Sequence, residues 1–163
     1  MVRHPVAFKI NGQKREAEID TRTLLIDLIR DTFHFGGAQR CPSIACTGAC
    51  TVLVNGWPVC SCLTLAVAVN GAQIRTIEGL RCDDGTLHPL QQALVDHCSS
   101  QCEYCTAGIL MSATALLDTN PRPTREDIRR SLAGNICHCT GYANIIDAVL
   151  AAAKTMRATL EAR

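Results

Sequence analysis

Apolar residues alternate at Val6, Phe8 and Ile10, stop at Asn11-Gly12, and alternate again at Ala17 and Ile19. A period of two on both sides of a dipeptide that tolerates positive φ predicts a β-hairpin. The spacing then changes. Leu24, Leu25, Leu28 and Ile29 share one face of a short helix, with Thr23 the expected N-cap. Gly36-Gly37 closes that region. Thr51 to Val54 and Trp57 to Cys60 flank a second Asn-Gly, Asn55-Gly56, and predict a second hairpin. Residues 73–77 read as one more strand, after Asn70-Gly71.

From Leu87 onward the alternation gives way to helical spacing. Four helices are expected. The first covers 89–97, with Leu90, Ala93 and Leu94 on one face, and the second covers 106–118, with Ile109, Leu110, Ala113, Leu116 and Leu117 inward. The third, 125–133, has Thr124 as its cap and an acidic first turn in Glu126-Asp127. The fourth starts at Tyr142 and ends near Leu160. The stretch NPRPT, 120–124, separates the second helix from the third. The class is α+β, with a β-rich domain over residues 1–79 and an all-α domain over 80–163.

Composition narrows the function. Hydrophobic residues are 47% and charged residues 19% of 163, a globular balance. Sixteen Lys and Arg against fifteen Asp and Glu leave a net charge of +1, which argues against a nucleic-acid or membrane-surface partner. The longest apolar runs, such as 63–69, are too short to cross a bilayer. The opening MVRHPVAFKING lacks a secretory apolar core, so a cytoplasmic protein is expected.

Eleven cysteines stand out, at 41, 46, 50, 60, 62, 82, 98, 102, 105, 137 and 139. An odd number in a reducing compartment argues against a disulfide scaffold. Eight sort into two groups of four. QCEYC and ICHC supply Cys102, Cys105, Cys137 and Cys139, a CxxC and a CxC each placed ahead of a helix. Helix N-terminal amides favour thiolates there. Four thiolates suit either tetrahedral Zn²⁺ or a [2Fe–2S] cluster. The other group, in CPSIACTGAC, has Cys41, Cys46 and Cys50, with Cys62 on the far strand as fourth member and Cys60 as rival on the same strand face. A plant-type ferredoxin loop runs C-x₄-C-x₂-C with a distant fourth cysteine. Here the second gap is three residues, but a long cysteine loop hung on a hairpin favours iron–sulfur over zinc. Gly48 suits a loop whose amides approach bridging sulfides closely.

The segments GAQRC, GACTVLVNGWPVCSCLTLAV, QCEYCTAGILM and GNICHCTGYANI together resemble the small iron–sulfur subunit of the molybdenum hydroxylases, the xanthine oxidase and aldehyde oxidoreductase family. The resemblance covers nearly the whole chain. It implies an N-terminal β-grasp, plant-ferredoxin-like domain followed by a four-helix-bundle iron–sulfur domain, with two [2Fe–2S] clusters. Three departures accompany it. The family pattern places its first two cysteines where this chain has Pro42 and Thr47, one position after Cys41 and Cys46; Glu103 and Ala107 replace Gly and Pro; His138 replaces Arg. The expected ligands remain Cys41, Cys46, Cys50 and Cys62 for one cluster and Cys102, Cys105, Cys137 and Cys139 for the other.

The resemblance further implies a heterotrimer, alone or paired into a dimer of heterotrimers. A large subunit would hold the molybdopterin cofactor and a medium subunit FAD, while this chain passes single electrons between them. Gln101 and Cys139 would lie against the pterin, and Glu103 would lower the potential of the neighbouring cluster. No GxGxxG fingerprint is present, so neither large cofactor is expected on this chain. A free-standing two-cluster ferredoxin and a zinc-stabilised interaction module are the competing readings. Cys60, Cys82 and Cys98 read as ordinary small residues, His138 as solvated or at an interface, Trp57 as packing or a subunit contact, and Arg122, Arg125, Arg129 and Arg130 as a solvated helix face.

Overall fold

A computed structural model describes residues 3–41, 47–82 and 84–161. Strands β1 (Arg3–Ile10) and β2 (Gln13–Asp20) pair antiparallel about a turn in which Asn11 and Gly12 take φ of 49° and 83°. That is the all-positive turn which matches strand twist. A short helix α1 (Leu25–Asp27) widens into a π-turn (Leu28–Thr32). Strands β3 (Thr51–Val54) and β4 (Trp57–Cys60) form the second hairpin, and β5 (Gln73–Arg75) completes a mixed sheet of order β2-β1-β5-β3-β4. Strand β5 runs parallel to β1 and antiparallel to β3. The helices α2 (Pro89–Asp96), α3 (Thr106–Thr119), α4 (Arg125–Ser131) and α5 (Ala143–Glu161) follow. The chain is α+β, with a mixed sheet and five helices among the described residues.

Two apolar cores form. Val6, Phe8, Ile10, Val52, Val54 and Ile74 pack one sheet face against Leu25, Ile26, Leu28 and Ile29. Leu90, Leu94, Ile109, Leu117, Ile145 and Val149 join the helices into the other. Strand β3 is buried along its whole length because Leu53, pointing away from the first core, meets Met111 and Ala115 of α3. Burying a Leu or Met side chain stabilises by about 2 kcal/mol, so this contact fixes how the halves meet. It also sets the site. Cys50 immediately precedes β3 and Cys105 immediately precedes α3, so packing strand on helix carries two cysteine loops to one junction.

Several expectations change locally. Leu24, with no side-chain cap, opens α1 in place of Thr23; Leu24 is in extended backbone and bridges Leu65, which moves the boundary one residue on. Helix α4 stops at Ser131, its start fixed by a capping box between Thr124 and Asp127. Helix α5 begins at Ala143, since Gly141 and Tyr142 both have positive φ, 62° and 66°, a geometry outside any right-handed helix. The arginines at 125, 129 and 130 form exposed ion pairs with Asp147 and Glu126, contacts of small energetic weight. Among the described residues no helix is long and apolar enough to cross a membrane.

Candidate functional site

The sheet-side thiols converge by register. Thr51 pairs with Cys60 across the β3–β4 hairpin, and a 3₁₀ turn, Ser61–Leu63, begins where β4 ends. The fully buried Ser61 hydroxyl donates to the Cys50 carbonyl at 2.6 Å and pins that turn to the head of β3. Cys62 is thereby swung beside Cys50, with the two Sγ atoms 3.2 Å apart. Cys62 therefore sits in the turn beyond the strand, and sharing a strand face with Cys60 is not what brings it in. Cys41, Cys50 and Cys62 place their sulfurs within 4.8 Å of one another, and Cys60 is outside this triad, partly buried against the sheet core. The Thr47 hydroxyl is 3.9 Å from Cys41 Sγ. Cys46, the fourth expected member, lies outside the described residues.

The helix-side thiols form two pairs. Cys139 Sγ donates to Cys102 Sγ at 3.5 Å on the surface, and the buried Cys105 and Cys137 form the second pair. All four line one small enclosed cavity with Thr106 and Ile109 behind them. Burial, then the Cys137 thiol, push Cys105 up to about 12, so desolvation outweighs the helix N-terminal amides expected to lower it. Burial also acts to raise Cys137. The Thr140 hydroxyl at 3.2 Å, with the Cys139 and Thr140 amides, outweighs it and leaves Cys137 lowered. The two inner thiols are thus shifted in opposite directions.

Tyr142 holds this loop in shape. Its hydroxyl donates to the Asn135 carbonyl and accepts from the Cys137 amide, each at 2.8 Å. The backbone at 141–142 is left-handed, and the Tyr142 hydroxyl reaches back to the Cys137 amide. Gln101 is exposed and donates to the Cys139 carbonyl at 3.3 Å, so the two expected pterin-facing residues are adjacent. Glu103 has φ of 61°, in the region a glycine occupies without cost, which explains why the family pattern has Gly there.

Donor geometry tests what could be held. Four thiolates around one Zn²⁺ stand about 3.8 Å apart in every pair, from a Zn–S bond of about 2.3 Å and tetrahedral angles. Cys41, Cys50 and Cys62, with sulfurs within 4.8 Å of one another, approach that spacing. Four thiols lining one cavity on the helix side fit a two-iron cluster, which offers each iron two thiolates.

Sequence reasoning did not single out the residues that join the sites. Asn135, 2% exposed, donates through Nδ2 to the Gly48 carbonyl at 3.0 Å and to Thr51 Oγ1 at 3.3 Å, and accepts from Ser112 Oγ at 2.6 Å. A Cβ on Gly48 would stand 2.2 Å from the Gly134 carbonyl oxygen, and one on Gly108 would stand 2.1 Å from that of Gly48. Gly48 is therefore required by the opposing backbone of the helical half, a nearer cause than room for sulfides. The available signals were an unexplained glycine in the first turn of α3 and Gly134-Asn135 ahead of ICHC.

Similarity to known proteins makes this an iron–sulfur protein. Residues 76–150 match the family model of the [2Fe–2S] binding domain. The chain is 46% identical to the nicotine 6-hydroxylase small subunit of Paenarthrobacter nicotinovorans, over 89% of this chain and 87% of that one. It is 43% identical to the aldehyde oxidoreductase iron-sulfur-binding subunit PaoA of Escherichia coli K12, over 89% and 69%. Quinoline 2-oxidoreductase from Pseudomonas putida 86 superimposes with a TM-score of 0.89 at 38% identity, covering 96% of this chain and 97% of that one. The chain belongs to the family of small iron–sulfur subunits of the molybdenum hydroxylases and aldehyde oxidoreductases.

Proposed function

We propose that this chain is the electron-transfer subunit of a heterotrimeric molybdenum hydroxylase, relaying single electrons from a molybdopterin centre on a large subunit to FAD on a medium subunit. Two [2Fe–2S] clusters supply the one-electron carriers. Cys102, Cys105, Cys137 and Cys139 hold one in the helical domain, residues 80–163, and Cys41, Cys46, Cys50 and Cys62 hold the other in the β-grasp, ferredoxin-like domain, residues 1–79. Substrate chemistry belongs to the large subunit, and the cytoplasm is the expected compartment.

The observation that carries this reading is the presence of two separate thiol groups on adjoining loops. The outer pair, Cys102 and Cys139, is exposed and has Gln101 beside it, a side chain suited to hydrogen-bonding a pterin. The inner pair is shielded from water, which limits side reactions of a reduced centre. Electron paramagnetic resonance (EPR) of the dithionite-reduced protein, purified with its partners, is the test. Two distinct S = 1/2 signals are expected. One signal would leave only one group occupied, and zinc with no signal would replace the reading by a structural metal module.

A further inference from the structure

We infer that Tyr104 and Asn135 of the helical half are positioning residues for the sheet-side thiol triad, clamping the chain on either side of it. The inference rests on the two-cluster reading above.

Cys41 and Cys50 belong to a loop that its own half of the molecule holds through the Gln39 amide, which donates to the Ala49 carbonyl at 3.0 Å, and at its end, where Cys50 enters β3. The loop is also held from across the junction. Tyr104, between two helix-side cysteines, donates its hydroxyl to the Arg40 carbonyl, one residue before Cys41. The Ile136 amide, one residue before Cys137, donates to the Thr47 carbonyl at 2.8 Å. The Asn135 side chain donates to the Gly48 carbonyl and to Thr51 Oγ1, which bracket Cys50. Three donors from the helical half thus meet carbonyls next to the triad, and each donor lies within two residues of a helix-side cysteine.

Chemistry makes these contacts directional. The Gly48 carbonyl accepts from the Thr51 amide, the Thr51 hydroxyl and Asn135 at once, at 3.0, 2.7 and 3.0 Å. A carbonyl so placed is fixed in orientation, and with it the peptide leading to Cys50. The Asn135 amide has both ends bonded, Oδ1 by Ser112 and Nδ2 by the loop, so it cannot flip without leaving buried groups unpaired. Arg40 is held on its side-chain end as well, by Asp27 and Asp31 of the α1 region. Its carbonyl is presented to Tyr104 from a braced residue. Converging the triad sulfurs therefore depends on side chains that belong to the other site's loops.

The test uses the full chain with its partners and the variants Tyr104→Phe, Asn135→Ala and the double variant. Tyr104→Phe removes one hydroxyl and keeps the ring. It is expected to shift the line shape and midpoint potential of the sheet-side EPR signal, the one that Cys62→Ser abolishes, and to leave the other signal unchanged. The double variant is expected to carry half the wild-type iron and to lack that same signal. Unaltered signals and full iron in the double variant would overturn the inference, as would loss of the helix-side signal in place of the sheet-side one. If the double variant fails to fold by circular dichroism, Tyr104→Phe decides alone, and an unchanged sheet-side spectrum overturns the inference. A wild-type protein without two signals removes the two-cluster reading and this inference with it, an outcome separable from a wild type with two signals that the variants do not change.

Discussion

The two thiol sites are built by different means. On the sheet side, hairpin register places Cys62 beside Cys50, while the loop that carries Cys41 is also held from the helical half. Thr51 pairs with Cys60, Ser61 is tied to the Cys50 carbonyl, and Cys62 arrives beside Cys50 as a consequence. On the helix side no ladder exists. Helices offer only their ends, so the connecting loops must be shaped by individual devices: left-handed backbone at Glu103, Gly141 and Tyr142, and the doubly bonded Tyr142 hydroxyl. A sheet spreads positioning over many backbone bonds, whereas a helix-end site concentrates it in a few side chains. Outside the junction residues Tyr104 and Asn135, single substitutions that spare the thiols should therefore damage the helix-side site more readily.

The largest effects come from the thiols. Cys105→Ser is expected to remove half the iron and one EPR signal, and Cys62→Ser the other half and the other signal, each measured on the purified complex. Cys60→Ser should retain both, because Cys60 stands outside the triad. If either ligand variant emptied both sites, the contrast between two separately built centres would fail.

Next in size is the junction. Gly108→Ala puts a Cβ 2.1 Å from the Gly48 carbonyl oxygen, and both partners are backbone, so neither yields cheaply. The cost of overpacking exceeds the gain in helix propensity, leaving a net loss of about 2 kcal/mol. For a chain of this size the thermal midpoint should fall by roughly 4–8 °C. Gly134→Ala is the control, since a Cβ there meets nothing within 4 Å. Equal midpoints for the two variants would show that the close approach is not what joins the halves.

Much of this was legible in the sequence, and the exceptions have a common cause. Both Asn-Gly hairpins, the Thr124 cap and the 89–119 helices follow from rules that act within a few residues. Spacing put Cys102, Cys105, Cys137 and Cys139 in one group, and these four line one cavity. What spacing could not reveal was the pairing of Cys102 with Cys139 and of Cys105 with Cys137, nor the service of Asn135 to a loop 87 positions away. Those depend on how α3 meets β3, a tertiary contact with no local periodicity. Cys62 was placed on a strand for a related reason. A 3₁₀ turn of three residues leaves no repeat to detect.

Glu103 separates backbone from charge within the helix-side site. At φ of 61° a residue with a Cβ is strained by about 1 kcal/mol, so Glu103→Gly should stabilise by that amount in thermal unfolding. Glu103→Gln keeps the backbone problem and removes the carboxylate. If the negative charge stabilises the oxidised cluster, Glu103→Gln raises the midpoint of the helix-side signal alone in an EPR-monitored titration. A shift in both signals, or in neither, would deny the site-specific role.

The smallest effect distinguishes the halves by acid. Helix α2, which packs in the helical core and leads toward Gln101 and Cys102, is capped by His88. The His88 Nδ1 accepts from the Leu90 amide at 3.2 Å, and its own amide donates to Gln91 Oε1. Only a neutral ring can accept. Burial, then Arg75, lower the His88 pKa from 6.5, with Asp118 opposing. A group whose folded pKa is depressed contributes stability above its unfolded value and loses it as pH falls through the folded one. Acidification below about pH 6.5 should thus cost about 1 kcal/mol, the worth of a cap, and release the Leu90 amide to hydrogen exchange before the amides of β1 and β3. His88→Asn supplies an acceptor that does not titrate, so its α2 protection should hold flat over the same range. A parallel loss in His88→Asn would place the acid sensitivity outside the cap, and equal early exchange in β3 would erase the difference between a site hung on helix ends and one carried by a sheet.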